Sequence, residues 1–499
     1  MVEVNFESRE LSWLDTVLQE MTTSEQSQEI KLPDGMPDIG QVLCAWGQPI
    51  VRGKEWRSDS VSLTGGMMVW VMYLPEDNSG VRCIDAWIPF QMKWDLPAGA
   101  PEGSIRLKQM ARFVDARSVS PRKIMVRCGM AAAVTAMAEK QIEVYAPSGD
   151  TLGVKLLKVT YPIRLPQEIG EKTFLIDETL SLPESTPQPE KIFYYRFEPR
   201  ITDKKVLTGK LVFRGNGLLH VLYAGKDGRL NSWDFEVPFS QYTDLSNEHS
   251  SDAQADIIPN ATSLELELEE NGNFRVKCGM VAQYLITDKV LLETIEDAYC
   301  PGREIEMQSK ILELPVLLEN RREMVYAEQA LAAGASGIVD TCFLPDFPRS
   351  MWMENGVSLS IPGNFQTLYY DEEGALRSAS SRWEGNVTLP SDENSSLSAT
   401  VGATVPQANP GSGGIQLKAE IPIDVTATAD QGFPMVTGVK LGQECRLDPG
   451  RPSLILRRAG TKRLWDIAKD SGSTVEAIQQ ANGLQGEPVP GQMLLIPVP

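Results

Sequence analysis

Residues 126–132 read VRCGMAA and residues 276–282 read VKCGMVA, 150 positions apart. The same spacing relates Leu32-Pro33 to Leu182-Pro183, Pro37 to Pro187, Pro49 to Pro199, Gly65 to Gly215 and Tyr73 to Tyr223. Pro89-Phe90 and Pro238-Phe239 agree at 149, which needs a single gap. A spacing held over this much of a chain is a tandem duplication, and it restricts the fold to one that can be built twice. A fainter third copy lies 146 residues further on. There Phe197 and Pro199 align with Phe343 and Pro345, Gly217 with Gly363, Tyr223 with Tyr369, and Gly228 with Gly374. Units of this length can each bury a core, unlike the short repeats of a solenoid.

Each copy reads as β. Residues 66–90 carry two apolar, partly alternating runs on either side of a turn, and residues 218–239 repeat this around GKDG. LELELEENGNFRVKCGM at 264–280 alternates strictly, turns at ENGN and alternates again, which is a hairpin signal. The expected fold is mainly β: tandem antiparallel β-sandwich-like repeats of about 150 residues, then a small β-α-α-β module. One helix is expected before that module, over 12–21, where Trp13, Val17, Leu18 and Met21 fall on one helical face. The expected division is a helical segment at 1–23, repeats at 24–170, 171–320 and 321–446, a linker at 447–452 and a module at 453–499.

The chain has 499 residues and a net charge of −20, which argues against nucleic acid or an anionic membrane as main partner. Its opening, MVEVNFESRELSW, shows neither the basic start nor the apolar core of a signal peptide, and no apolar run approaches the length of a membrane span. Seven cysteines spread from Cys44 to Cys445 do not form a disulfide framework, and a reducing cytoplasm is the expected setting.

Motifs for chemistry are missing. No phosphate loop, nucleophile elbow, His-Glu-x-x-His helix or Cys-x-x-Cys pair occurs, and nothing calls for a metal or cofactor. His220 aligns with Trp70 and is expected to pack, whereas His249, in SNEHSSD, reads as a solvated loop residue. Cys128 and Cys278 repeat as core positions would. Glu265, Glu267 and Glu269 share a strand face that is best left in water, because buried unpaired carboxylates are very unfavourable. Binding or architecture is expected rather than catalysis.

From Ser453 the pattern changes. SLILRR reads as a strand, and RLWDIAKD follows at helical spacing. STVEAIQQAN begins with a capping box from Ser473 to Glu476, and MLLIPVP closes as a strand after Pro490-Gly491. This module resembles a LysM domain through Leu464-Trp465, Ile467-Ala468, Thr474-Val475, Ile478, Asn482-Gly483-Leu484, Pro490-Gly491 and Leu495-Ile496-Pro497. The resemblance implies binding of N-acetylglucosamine-containing glycans between the loop leading into the first helix and the loop leaving the second. The first loop departs from the family's Gly-Asp-Thr by reading GTKRLW, with Lys462 and Arg463 where an acidic residue is usual. Expected binding residues, for a protein partner or a glycan, are Gly460, Thr461, Lys462, Arg463, Asn482, Gly483 and Leu484. Trp465 and Leu484 read better as core of so small a domain than as glycan contacts.

The repeats resemble the SPOCS domain of clostridial spore-coat proteins, on IKLPDGMPDI (30–39), residues 69–90, SVSPRKIMVRCGM (118–130) and their copies. SPOCS repeats followed by one LysM resemble the SipL-type coat morphogenetic proteins. That implies a non-enzymatic scaffold in the mother-cell cytoplasm at the forespore surface, with the coat's basal-layer ATPase as partner. A cortex or cell-wall glycan-binding protein is the alternative.

Overall fold

The computed structural model describes residues 2–148, 151–353, 356–389, 395–411, 413–445, 450 and 452–498. The linker expected at 447–452 falls largely outside the described residues. The chain is mainly β, as expected, and six strands recur three times. In the first copy they are Phe6–Lys31, Ile39–Trp56, Ser60–Pro75, Arg82–Asp95, Ser104–Ser120 and Lys123–Pro147. The second, third and fourth strands form one antiparallel sheet; the first and fifth flank the sixth in another. The second copy repeats this with Lys155–Leu180, Pro189–Leu207, Lys210–Gly225, Leu230–Asp244, Gln254–Leu268 and Phe274–Tyr299.

In the third copy the second strand is split into Gly337–Pro345 and Arg349–Met353, and the fifth into Ser395–Val401 and Val405–Gly411. Its first, third, fourth and sixth strands are Arg303–Leu331, Gly356–Tyr370, Leu376–Leu389 and Gly414–Glu444. Val2–Val4, at the start of the chain, pairs with residues 439–441 of that last strand.

Pairing register shows that these are copies of one unit. Tyr73 lies opposite Val42 and Arg82, Tyr223 opposite Ile192 and Asn231, and Tyr369 opposite Ile338 and Arg377. Cys128 faces Gln26 and Val114, and Cys278 faces Ile176 and Leu264. Both tyrosine rings at 73 and 223 are buried, and their hydroxyls donate to Pro37 and Pro187 carbonyls at 3.0 and 3.3 Å. Packing is conserved by volume as well as by residue type. A Cβ on Gly217 would lie 1.8 Å from the Phe197 ring, and one on Gly363 would lie 2.1 Å from the Phe343 ring. The first copy inverts the pair, with Gly47 at the phenylalanine position and Met67 against it.

The helix expected at 12–21 is the middle of the strand Phe6–Lys31. A bulge between Thr16 and Leu18 breaks the two-residue alternation and imitates helical spacing. Its apolar residues face different ways: Val17 and Leu18 pack on the first core, Trp13 joins a cluster shared with the other repeats, and Met21 is exposed. The segment therefore belongs to the first repeat. The limits expected at 23, 170 and 320 likewise fall inside the strands Phe6–Lys31, Lys155–Leu180 and Arg303–Leu331. Each of these pairs with the sixth strand of the copy that follows the expected limit, so the units run 6–147, 155–299 and 303–444.

The long first and sixth strands have two jobs. Their inner halves cover the core of their own repeat. Their outer halves converge, with Trp13 from the first copy, Leu165 and Leu292 from the second and Leu314 and Phe433 from the third in one cluster. A further cluster joins the second, third and fourth strands of all three, through Trp46, Trp70, Tyr194, Leu222, Cys342 and Leu368. The repeats are one body. Among the described residues, no helix is long and apolar enough to cross a membrane.

Candidate binding site on the C-terminal module

The module is β-α-α-β: Leu454–Arg458 pairs antiparallel with Met493–Pro497, and helices Leu464–Ser471 (α1) and Val475–Asn482 (α2) lie between them. Ile467, Ala468, Ile478, Leu494 and Ile496 make its core. Both helices end in a left-handed glycine, Gly472 and Gly483, where φ is 59° and 61°. The cap of α2 is Thr474, one residue later than the expected capping box; its hydroxyl accepts from the Ala477 N–H at 3.1 Å. Ser473 instead donates its hydroxyl to the Pro497 carbonyl.

The first of the two loops expected to form a surface, 460–463, lies beside the 487–491 turn. Ala459 and Gly491 are tied by the Gly491 N–H to Ala459 carbonyl bond at 2.7 Å, and the Leu464 N–H donates to Glu487 at 2.7 Å. Gly460 and Thr461 are exposed there. Lys462 is held by Asp470 at 2.7 Å, and Arg463 reaches Asp466 at 3.4 Å and Glu296 at 3.6 Å. The Asn482 amide pins α2 to the closing strand: it accepts from the Leu495 N–H at 2.7 Å and donates to the Leu495 and Ile478 carbonyls at 2.6 and 2.8 Å. Gly483 is the helix cap, and Leu484 packs on the module's core.

Sequence reasoning missed the face that meets the second repeat. The Trp465 ring is buried edge-on against Tyr299 of the second repeat, with centroids 4.8 Å apart at 73°. Its indole N–H donates to Asp297 at 2.8 Å, and Lys469 Nζ reaches the two Asp297 oxygens at 2.7 and 2.8 Å. Lys155 pairs with Glu476 at 3.3 Å on the rim. Partial burial would raise the Asp297 carboxyl, but the Lys469 and Trp465 hydrogen bonds outweigh it and hold the group below the usual carboxylate range. Burial lifts the Tyr299 phenol to about 12. The one signal in the sequence is that Glu296-Asp297 stands 150 residues from Ala146-Pro147, so this acidic pair is peculiar to the second copy.

Both histidines, and the repeated pair Cys128 and Cys278, are engaged in structure. His220 is buried, 2.7 Å from Asp234 and 2.9 Å from Asp340 of the third repeat. Burial would lower its pKa; the Asp340 charge and bonds to both carboxylates carry it up to about 9. His249 is not solvated as expected: it is enclosed between Glu168 at 3.1 Å and Asp288 at 3.5 Å, because those carboxylates also accept the N–H groups of Ser246, Asn247 and Ser250 and fold the loop over it. Burial pushes the thiols of Cys128 and Cys278 up to about 12, far from a reactive thiolate. Glu265 and Glu267 face solvent.

Two family models match. Residues 188–269 match the SipL, SPOCS domain, a stretch that runs from the second to the fifth strand of the second repeat. Residues 464–497 match the LysM domain. No curated protein and no solved structure gives a significant match.

Proposed function

We propose that this chain, in which a SipL-type SPOCS domain and a LysM domain occur together, is a non-enzymatic scaffold of spore-coat assembly. In this reading it works in the mother cell, at the forespore surface, and docks the ATPase of the coat's basal layer. The pairing of those two domains fits a sporulation protein associated with the coat and of the peptidoglycan-binding type. The observation that carries the scaffold reading is the mounting of the LysM module on a body of three repeats fused through shared cores. Such a body presents a small binding module in a fixed orientation. The proposed docking surface comprises Gly460, Thr461, Lys462, Arg463, Asn482, Gly483 and Leu484. Its two basic side chains suit an acidic protein surface, where charge matching chiefly sets rate and specificity.

The LysM match itself favours a second reading, retention of an N-acetylglucosamine-containing glycan of cortex or wall. One experiment separates the two. The full chain serves as bait in extract of sporulating mother cells, intact and with Lys462→Glu plus Arg463→Glu. Recovery of the coat ATPase, weakened by charge reversal and indifferent to chitin oligomers, is expected. Tight binding of the oligomers with no retained protein replaces the scaffold reading with the glycan one.

A further inference from the structure

We propose that the Trp465–Lys469 face of α1 is a binding site for a partner segment that places an acidic residue beside an aromatic one, and that residues 296–299 of the second repeat occupy it in the free chain. This rests on the docking reading above but moves the anchor of the contact to Trp465 and Lys469, outside the loops named there.

The occupant defines the chemistry. Asp297 accepts from both the buried Trp465 indole and the Lys469 ammonium, so a single carboxylate satisfies two donors. Tyr299, two residues on, packs edge-on against the Trp465 ring, and Glu296 supplies a second charge to Arg463. Asp297 and Tyr299 thus form an acidic-aromatic pair, read by an aromatic-basic face. Only the second copy carries it. The first has Ala146, Pro147 and Gly149 at the corresponding positions, so the repeat fold does not require these side chains.

The chain's path brings the two together. The third repeat ends beside the turn that follows Tyr299, where the Cys445 N–H donates to the Gly302 carbonyl at 2.8 Å. Seven residues, 446–452, separate it from the module in sequence. A tether this short gives an effective concentration on the order of millimolar, so even a modest contact stays closed. An outside segment competes only for the open fraction, and its apparent affinity falls by that fraction. The second repeat therefore sets a threshold that a true partner must exceed.

The test uses the full chain and a synthetic peptide of residues 292–299. Wild-type chain should bind the peptide at least tenfold more weakly than the Asp297→Ala chain. Adding Lys469→Ala to Asp297→Ala should abolish the gain, which a chain merely loosened by mutation would keep. Amide exchange over 464–471 should quicken at least tenfold in Asp297→Ala, with exchange in the repeat cores unchanged. Equal peptide binding by wild type and variant, or unchanged exchange, overturns the occlusion. Binding of chitin oligomers but not peptide by the opened chain overturns the acidic-aromatic class. Peptide binding as expected, with no coat protein recovered in the pull-down, leaves this inference standing and removes the docking reading alone.

Discussion

At the centre of the body the same strand position appears three times with three chemistries. Trp46 faces Trp70 in the first repeat, Arg196 faces His220 in the second, and Cys342 faces Gln366 in the third. Where the first repeat meets the second, contact is aromatic: Trp46 stacks on Tyr194 at 4.7 Å and 10°, and Trp70 stands edge-on to the same ring. Where the second meets the third, contact is ionic, with His220 between Asp234 and Asp340. Identical copies would repeat one and the same contact at every seam. Divergence of one position into unlike partners gives each seam its own complement, and so fixes the order of the repeats. Arg106 and Asp256 make the same point, since they stand 150 residues apart, occupy equivalent positions, and pair at 2.6 Å.

The ionic seam should break hardest when only one side is removed. Asp340→Leu takes the third repeat's carboxylate from buried His220, which keeps only Asp234 of its own repeat, and should lower stability by about 3 kcal/mol. Denaturant titration of the full chain measures this. The double variant His220→Leu plus Asp340→Leu should recover most of the loss, because a buried pair replaced by apolar residues is often nearly neutral. A double variant as unstable as the single one would show that the seam depends on packing rather than charge.

The two seams should also separate by pH. Folding raises His220 from its ordinary value near 6.5 to about 9. Its contribution is therefore fully present below pH 6.5 and is lost as pH rises through about 9. A tenfold change in proton affinity corresponds to about 1.4 kcal/mol, so the whole window amounts to about 3 kcal/mol. Wild-type stability should fall across that window relative to the His220→Leu, Asp340→Leu variant. The aromatic seam has no group that titrates in this window, because burial pushes the Tyr194 phenol well above its ordinary range. Trp46→Phe should reduce stability by only about 1 kcal/mol, through lost contact area, with no pH or salt dependence. A slope that survives in the double variant would assign the effect to another group.

Much of this was legible beforehand, and the illegible part has a physical cause. The duplication, the β class, the turns and the equivalence of Tyr73 with Tyr223 follow from local pattern, which a strand's own neighbours enforce. The first strand did not. Its outer half packs on other repeats and its inner half on its own, so no single face of Phe6–Lys31 is apolar throughout. In the module, the loops at 460–463 and 482–484 were read from spacing and family resemblance, and both stay part of a proposed surface. The partners of Trp465 and Lys469 were out of reach, because Asp297 is 168 and 172 residues away in sequence.

The smallest expected effect lies at the rim of the tail contact, and it sharpens the contrast between centre and edge within one interface. Lys155 and Glu476 are 3.3 Å apart, but the Glu476 side chain is 70% exposed. An exposed pair of this kind is screened by water and salt and contributes at most a few tenths to about 1 kcal/mol. The Asp297 clamp is different, since one half-buried carboxylate there meets two donors at under 3 Å. Glu476→Gln should therefore quicken amide exchange over 464–471 less than threefold, and the difference from wild type should vanish in high salt. Should Glu476→Gln release the module as fully as Asp297→Ala does, the rim would carry the contact, and the acidic-aromatic pair at 297 and 299 would lose its claim to be the anchor.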